Sequence, residues 1–402
     1  MSISDAEKRT ISGEPVDNVA EVRQFLGTLP EKSGLESARS DGERIAAIVE
    51  PLGLPDEILA AVHVYPLFRD NLLSIKQLEN NNLSNISRYV IGLQQLQQFS
   101  LPGNWQPGEA LAAQQSEALR KMLLAVVSDV RLVLVRIAEQ LLLLRDARQA
   151  SAKEQQTLAI ETREIYAPLA NRLGVWQLKW ELEDFAFRYL DPETYLNLAK
   201  ALNEKRIERE RFIDTVKATL SHELTAHSIT AEITGRPKHI YSIWRKMQRK
   251  NRALESLYDI RAVRILVADV KDCYAALGVV HNLWSYIPGE FDDYIANPKD
   301  NDYRSLHTAV IGPDGRTVEI QIRSHEMHKH AELGIAAHWR YKEGGAAPAA
   351  FDQKISFLRR LLEPSEDGAD LLEQIRGDFF EDRVYAVSPK GDIVELPAKA
   401  TP

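Results

Sequence analysis

The chain has 402 residues, a formal net charge of −8, ordinary apolar content and a single cysteine, Cys273. The negative balance excludes binding of nucleic acid or polyphosphate by bulk charge, so any anion site has to be a local basic cluster. One cysteine permits no internal disulfide, no apolar run is long enough for a membrane span, and the polar start MSISDAEKRT has no signal-peptide core, so a cytoplasmic setting is expected.

Residues 1–35 are weakly patterned and read as a flexible arm with one short helix near Val19–Leu29. From Asp41 to Leu198 the pattern is almost wholly helical. The clearest helix is Glu117–Gln149, where Met122, Val126, Val130, Val133, Ile137, Leu141 and Leu144 recur at helical spacing. Helices over Glu161–Leu173 and Trp176–Tyr189 follow, ending near Gly174 and before Asp191-Pro192. A helical hydrolase of the His-Asp metal type needs at least two histidines with carboxylates to hold a divalent cation. Only His63, of ten histidines, precedes residue 222, and Val64 rather than Asp follows it. The segment Arg136–Leu142 carries no Asp-Arg-Leu-His-Asn run. His63 therefore reads as an ordinary helix residue, and the first half as a scaffold or regulatory domain without metal chemistry.

The second half opens on a basic helix, Leu198–Leu220, whose charges alternate in sign and read as a solvated face. Ser228–Ile233 reads as a strand ending at Gly235-Arg236-Pro237. Lys238–Lys250 reads as a helix with an apolar stripe, Ile240, Ile243, Trp244 and Met247, and a polar one, His239, Ser242, Lys246 and Arg249. Free N–H groups at such a helix start favour an anion, and Arg236, Lys238, His239, Ser242 and Lys246 around it make a candidate polyphosphate cradle. The plain alternative is ordinary surface charge. Leu257–Val267 reads as a central strand with Asp259 at its start, and Val270–Trp284 as an amphipathic helix. A polar loop follows with Glu290, Asp292, Asp293, Lys299, Asn301, Tyr303 and Arg304. Then comes a hairpin, Leu306–Ile311 and Thr317–Ile322, around the turn Gly312-Pro313-Asp314-Gly315. Val318, Ile320 and Ile322 take one face of its second strand; Glu319, Gln321 and Arg323 take the other. Asp259 and Glu319 can then meet on one sheet surface beside the basic helix. Mg²⁺ is commonly held by one or two carboxylates plus substrate phosphates, the arrangement that phosphoryl-type transfer uses. Spacing alone leaves open that the two carboxylates are unrelated.

Several blocks taken in order resemble the synthetase domain of RelA/SpoT-type alarmone enzymes: GRPKHIYSIWRK (235–246), LYDIRAVR (257–264), NPKDNDYRSLHT (297–308), VEIQIR (318–323) and AELGIAAHWRYK (331–342). ETREIYAPLANRLG (161–174) resembles the linker helices before that domain, and the first half is then similar to the family's HD-type hydrolase domain with its metal motif gone. Glu290-Phe291-Asp292-Asp293 matches the acidic E-x-D-D form of synthetase-only members rather than the R-x-K-D of bifunctional ones. The resemblance implies an α+β architecture, an all-helical inactive hydrolase-like domain followed by a nucleotidyltransferase-like mixed-sheet synthetase domain. It implies a GTP pyrophosphokinase that transfers pyrophosphate from ATP to the 3′-OH of GDP or GTP, with Mg²⁺ on Asp259 and Glu319 and with Glu319 placed to act on the hydroxyl. Arg236, Lys238, His239, Ser242, Lys246 and Lys299 are implied phosphate contacts. Tyr303, with Asn301 and His307, is the implied guanine site, and Gln321 a further site residue. The ribosome and uncharged tRNA are implied partners through C-terminal domains beyond this chain; neither membrane nor DNA is. Asp302 and Arg304 depart from the family's Asn-Gly-Tyr-Gln-Ser in the loop beside the implied guanine site.

The expected domains are an arm at 1–35, the helical hydrolase-like domain at 36–198, the synthetase domain at 199–343, a linker and connector helix at 344–377, and at 378–402 the start of a TGS domain, whose first hairpin is DRVYAVSPKGDIVELP and at which the chain reads as truncated. A rival reading is a non-catalytic ribosome- or tRNA-associated module that uses the pocket to sense nucleotides. The intact Asp259/Glu319 pair favours the enzyme.

Overall fold

A computed structural model describes residues 17–97, 101, 105, 129–204, 206–236, 238–250, 261–299, 303–334, 384–387 and 393–396. The chain divides into two compact units: Met1–Ser100, Glu117–Leu142 and Ala336–Ala346 form one, and Leu101–Ser116, Leu143–Ile335 and Ala347–Pro402 the other. Among the described residues no helix is long and apolar enough to cross a membrane.

The first unit is helical: α1 Asn18–Thr28, α2 Leu35–Val49, α3 Asp56–Arg69, α4 Ile75–Asn80, α5 Ser84–Gln97 and the first part of α6 Val130–Asp146. The short helix expected near Val19–Leu29 is α1, and it packs into the unit instead of lying in a loose arm. The Asp17 carboxylate accepts the Ala20 N–H at 2.8 Å and so caps α1. Val22, Phe25 and Leu26 are buried, because an amphipathic helix has to cover its apolar stripe. Of the long helix read over 117–149, the described part is α6, with a 3₁₀ turn at Ala147–Gln149. α2 and α3 meet closely at Gly42, where a Cβ would stand 2.6 Å from the His63 carbonyl oxygen.

This unit holds a buried polar cluster. The Glu139 carboxylate on α6, 1% exposed, accepts the Tyr65 hydroxyl at 3.1 Å, Arg69 Nη1 at 3.2 Å and a short bond from Arg136 Nη1. Arg69 also reaches Asp41 at 2.8 Å and Asp70 at 2.8 Å. A buried carboxylate needs such partners, and here two guanidinium groups supply the positive charge. Burial pushes the Tyr65 hydroxyl pKa upward. His63 is buried on α3, and burial lowers its pKa.

The second unit starts with α7 Ala152–Glu161, opened by a Ser151/Glu154 capping box. A π-helical turn at Thr162–Tyr166 joins it to α8 Ala167–Arg172, and Gly174 at φ +71° turns the chain into α9 Trp176–Leu190. The basic stretch read as one helix falls into two, α10 Pro192–Glu204 and α11 Arg206–Ala226. Then follow β1 Ala231–Gly235, α12 Ile240–Lys250, β2 Ala262–Val267, α13 Val270–Leu283, β3 Tyr286–Asp293, β4 Leu306–Ile311, β5 Thr317–Ser324 and α14 His325–Leu333. The five strands form one mixed sheet in the order β1-β2-β5-β4-β3, with β2 and β5 parallel and every other pair antiparallel. The backbone at Val384–Val387 and Ile393–Leu396, β6 and β7, pairs antiparallel as the C-terminal hairpin reading expects.

Alternation sorts the sheet into two faces. Val263, Ile265, Val267, Val310, Val318, Ile320 and Ile322 pack with Phe212, Val216 and Leu220 of α11 and Cys273, Ala276 and Val280 of α13. The other face carries Arg264, His307, Glu319, Gln321 and Arg323. On β5 it is buried rather than solvated, with Gln321 at 1% and Arg323 at 2% exposure. Its neighbours include α12, whose Ile243 clusters with Phe187 and Leu198 of α9 and α10, and α14. At the end of α14, Gly334 has φ +55° and ψ −130°. A Cβ there would stand 2.3 Å from the Leu173 oxygen and the Gly174 carbonyl carbon. Gly334→Ala is therefore expected to cost about 3 kcal/mol, from backbone strain and overlap together. A chemical denaturation midpoint equal to wild type would contradict that close approach.

Candidate active site

Glu319 stands mid-strand on β5, opposite Ala262 on one side and Ala309 on the other. Both of its neighbours across the ladder are small, and basic side chains close around the carboxylate instead. Lys238 Nζ donates to Oε2 at 2.6 Å, Gln321 Nε2 donates to Oε1 at 2.8 Å, and Arg236 Nη1 lies 3.7 Å from Oε1. Burial opposes ionisation, but Lys238 and Arg236 outweigh it and hold the Glu319 pKa down at about 2. The carboxylate is ionised at any physiological pH.

Arg236, Lys238, His239 and Ser242 come together, as the sequence reading expects. They line a cleft of about 490 Å³ with Gln177, Trp180 and Glu181 of α9, Gly235, Arg264 and Glu332. Lys246, one turn beyond Ser242 on α12, is not among the residues lining it. One N–H of the expected open helix start is occupied. Asp184 of α9 already accepts the Tyr241 N–H at 2.8 Å and faces His239 Nδ1 at 3.2 Å. The His239 ring stacks on Trp180 at 5.4 Å, and Arg236 lies over the same indole at 5.3 Å.

In the cleft wall, Glu332 is shared by Arg264 at 3.5 Å and Arg323 at 3.2 Å. Burial, with each guanidinium's repulsion of its neighbour, lowers the Arg264 pKa to about 10. Beside them the Tyr303 hydroxyl and His307 Nε2 are hydrogen-bonded at 2.8 Å. Trp176, Tyr294 and His307 present their rings edge-on to Tyr303 at 6.1, 6.1 and 5.7 Å. Lys299 Nζ lies 4.4 Å from the Tyr294 ring and 5.9 Å from that of Tyr303. Glu290, Asp292 and Asp293 belong to the bulged edge strand β3, not to a loop. Burial, with the Asp292 carboxylate, pushes the Tyr294 hydroxyl pKa upward. Asp293 accepts the N–H groups of Ile295 and Ala296 and the Tyr274 hydroxyl, so it shapes the turn that follows. Asp259, Asn301 and Asp302 lie outside the described residues, and the strand expected to begin near Asp259 starts, as described, at Ala262.

Burial drives the His307 pKa down from 6.5 to about 3, against the pull of Glu319 and with help from Arg236, Lys299 and Lys238. Below pH 6.5 the unfolded chain binds a proton that the fold refuses, so stability falls as pH drops from 6.5 toward 3. Glu319 contributes stability above its unfolded value of 4.5 that is lost as pH falls toward 2. The melting temperature is thus expected to fall from pH 6.5 downward, and His307→Gln should flatten the slope between 6.5 and 4.5, where Glu319 is silent. An unchanged slope in that variant would contradict a neutral, enclosed His307.

The fold and site define a two-part class: an all-helical unit and a mixed-sheet unit with an ionised carboxylate among basic side chains. Residues 24–176 match the HD domain, and residues 235–346 match the region found in RelA / SpoT proteins. The chain belongs to the RelA/SpoT family. A GTP pyrophosphokinase of Photobacterium angustum is 47% identical over 367 residues, covering 90% of this chain and 49% of the relative. One of Escherichia coli K12 is 45% identical over 370 residues, with 90% and 49% covered. The small alarmone synthetase 1 of Bacillus subtilis, solved with its product pppGpp, is 23% identical over 45% of this chain and 98% of that one, with a TM-score of 0.30. The chain thus spans about half the length of the curated relatives it matches.

Pyrophosphokinases of this family generally depend on a divalent metal. Glu319 supplies an ionised carboxylate for such an ion, with Lys238 and Gln321 now on its two oxygens.

Trp180, Asp184, Arg264 and Glu332 are site residues that sequence reasoning missed. The one local signal was the i, i+4, i+8 stripe Trp176, Trp180, Asp184 on α9.

Proposed function

We infer that the chain transfers a pyrophosphoryl group from ATP to the 3′-hydroxyl of GDP or GTP, making ppGpp or pppGpp. The observation that carries this reading is the ionised Glu319 held by Lys238 and Arg236, two residues that line the cleft, within the RelA/SpoT-matching region. Arg236 and Lys238 bind the donor polyphosphate, with His239 and Ser242 along the same wall. A polyphosphate entering there competes for both cations and releases the carboxylate to accept a hydrogen bond from the 3′-hydroxyl. The 3′-oxygen attacks the β-phosphorus, the bond to the α-phosphate oxygen breaks, and AMP leaves. Mg²⁺ on Glu319 and Asp259 would offset phosphate charge when bound. The ribosome and uncharged tRNA as partners, and a cytoplasmic setting, belong to the same reading.

The test is incubation with ATP, GDP and Mg²⁺, and separately with ppGpp, with products resolved by ion exchange. A new tetraphosphate species in the first and none consumed in the second is expected. A chain that binds nucleotides without making product would favour the sensing module.

Tyr303 is the proposed guanine platform. Tyr303→Ala should raise KM for GDP by roughly tenfold to a hundredfold, the usual worth of base–aromatic stacking, and leave KM for ATP nearly unchanged. Tyr303→Phe keeps the face and should be milder, losing only the bond to His307. Equal KM changes for both nucleotides with a lowered melting temperature would instead make Tyr303 a packing residue among its ring neighbours.

A further inference from the structure

Residues 177–234 fall between the two matched regions, yet α9 forms a wall of the cleft through Gln177, Trp180 and Glu181. We propose that Asp184 and Trp180 of α9 are positioning residues that hold His239 and Arg236 toward the polyphosphate of a nucleoside triphosphate. This rests on the donor assignment made above.

The Asp184 carboxylate receives two groups at once, the Tyr241 N–H at 2.8 Å and His239 Nδ1 at 3.2 Å. With Nδ1–H donated to a carboxylate, the imidazole has one tautomer and Nε2 is the nitrogen left for the cleft. Trp180 fixes the ring plane by stacking at 5.4 Å and an interplanar angle of 26°. Arg236 lies over the same indole at 5.3 Å, so one aromatic shelf sets two of the cleft's basic side chains. The N–H of Tyr241, the second residue of α12, is already taken by Asp184. Side chains set from α9 therefore share the reading of the phosphates with what remains of the helix start.

An amide can accept only one of the two donors that Asp184 accepts. Asp184→Asn is thus the informative variant, with Asp184→Ala, Trp180→Ala and Trp180→Phe beside it. The readouts are melting temperature, calorimetric binding of Mg-ATP without acceptor, and KM for ATP and for GDP. Asp184→Asn should melt near wild type, weaken ATP roughly tenfold to a hundredfold, and leave KM for GDP nearly unchanged. Trp180→Ala should do the same, and Trp180→Phe should recover most of the loss. In a His239→Ala background Asp184→Asn should weaken ATP no further, because Asp184 acts through His239. A folded Asp184→Asn or Trp180→Ala that binds ATP as wild type overturns the proposal, as does a full additional loss in the His239→Ala background. Wild type that binds ATP but transfers nothing would sink the transfer reading alone, since the binding comparison still decides this one.

Discussion

Glu319→Gln is expected to lower transfer by about 10²- to 10⁴-fold, the range that a positioned acid–base group supplies. The amide keeps the shape of the carboxylate between Ala262 and Ala309 but cannot accept a proton or hold a cation by charge. Lys238 and Arg236 lose their anionic partner, so ATP affinity should hold or rise while turnover collapses. The fold should survive, because Glu319 sits on the polar face and the core residues Val318 and Ile320 are untouched. Steady-state rates with ATP and GDP, beside a melting curve, measure this. Turnover within a few-fold of wild type would remove Glu319 from the chemistry.

In the helical unit, Glu139→Ala is expected to destabilise by about 3–5 kcal/mol, because two guanidinium groups would lose their shared buried carboxylate. Hydrogen exchange at the amides of α3 and α6 reads this locally. The same cluster bears on hydrolysis. Both Glu139 oxygens already accept from Arg69, Arg136 and Tyr65. Chelator-treated protein resupplied with Mn²⁺ should not release pyrophosphate from ppGpp. Steady release would overturn the reading of this unit as an inactive hydrolase.

Features written in local periodicity and turn chemistry were legible in the sequence. The β4–β5 hairpin, the apolar stripe of α12 and the amphipathic α13 fall where spacing puts them. The burial of Gln321 and Arg323 was not legible, because strand alternation says which residues share a face but not which helices cover it. The acids of β3 read as a loop because Pro288, Gly289 and the bulge break the alternation that marks a strand. Asp184 went unnoticed because its partners His239 and Tyr241 lie 55 and 57 residues away, and no spacing rule reaches that far. Lys238 and Glu319, 81 residues apart, were named separately as phosphate contact and metal ligand, but their direct 2.6 Å contact is visible only in the fold.

Transfer from ATP labelled at the β-phosphorus to unlabelled GDP tests the central claim most directly. The label is expected in the 3′-diphosphate of the guanine nucleotide, with one AMP released for each group transferred and with both products lost in Glu319→Gln. Label appearing in free phosphate or pyrophosphate, ADP in place of AMP, or an equal yield from the Glu319 variant would contradict a pyrophosphoryl-transfer centre built on this carboxylate.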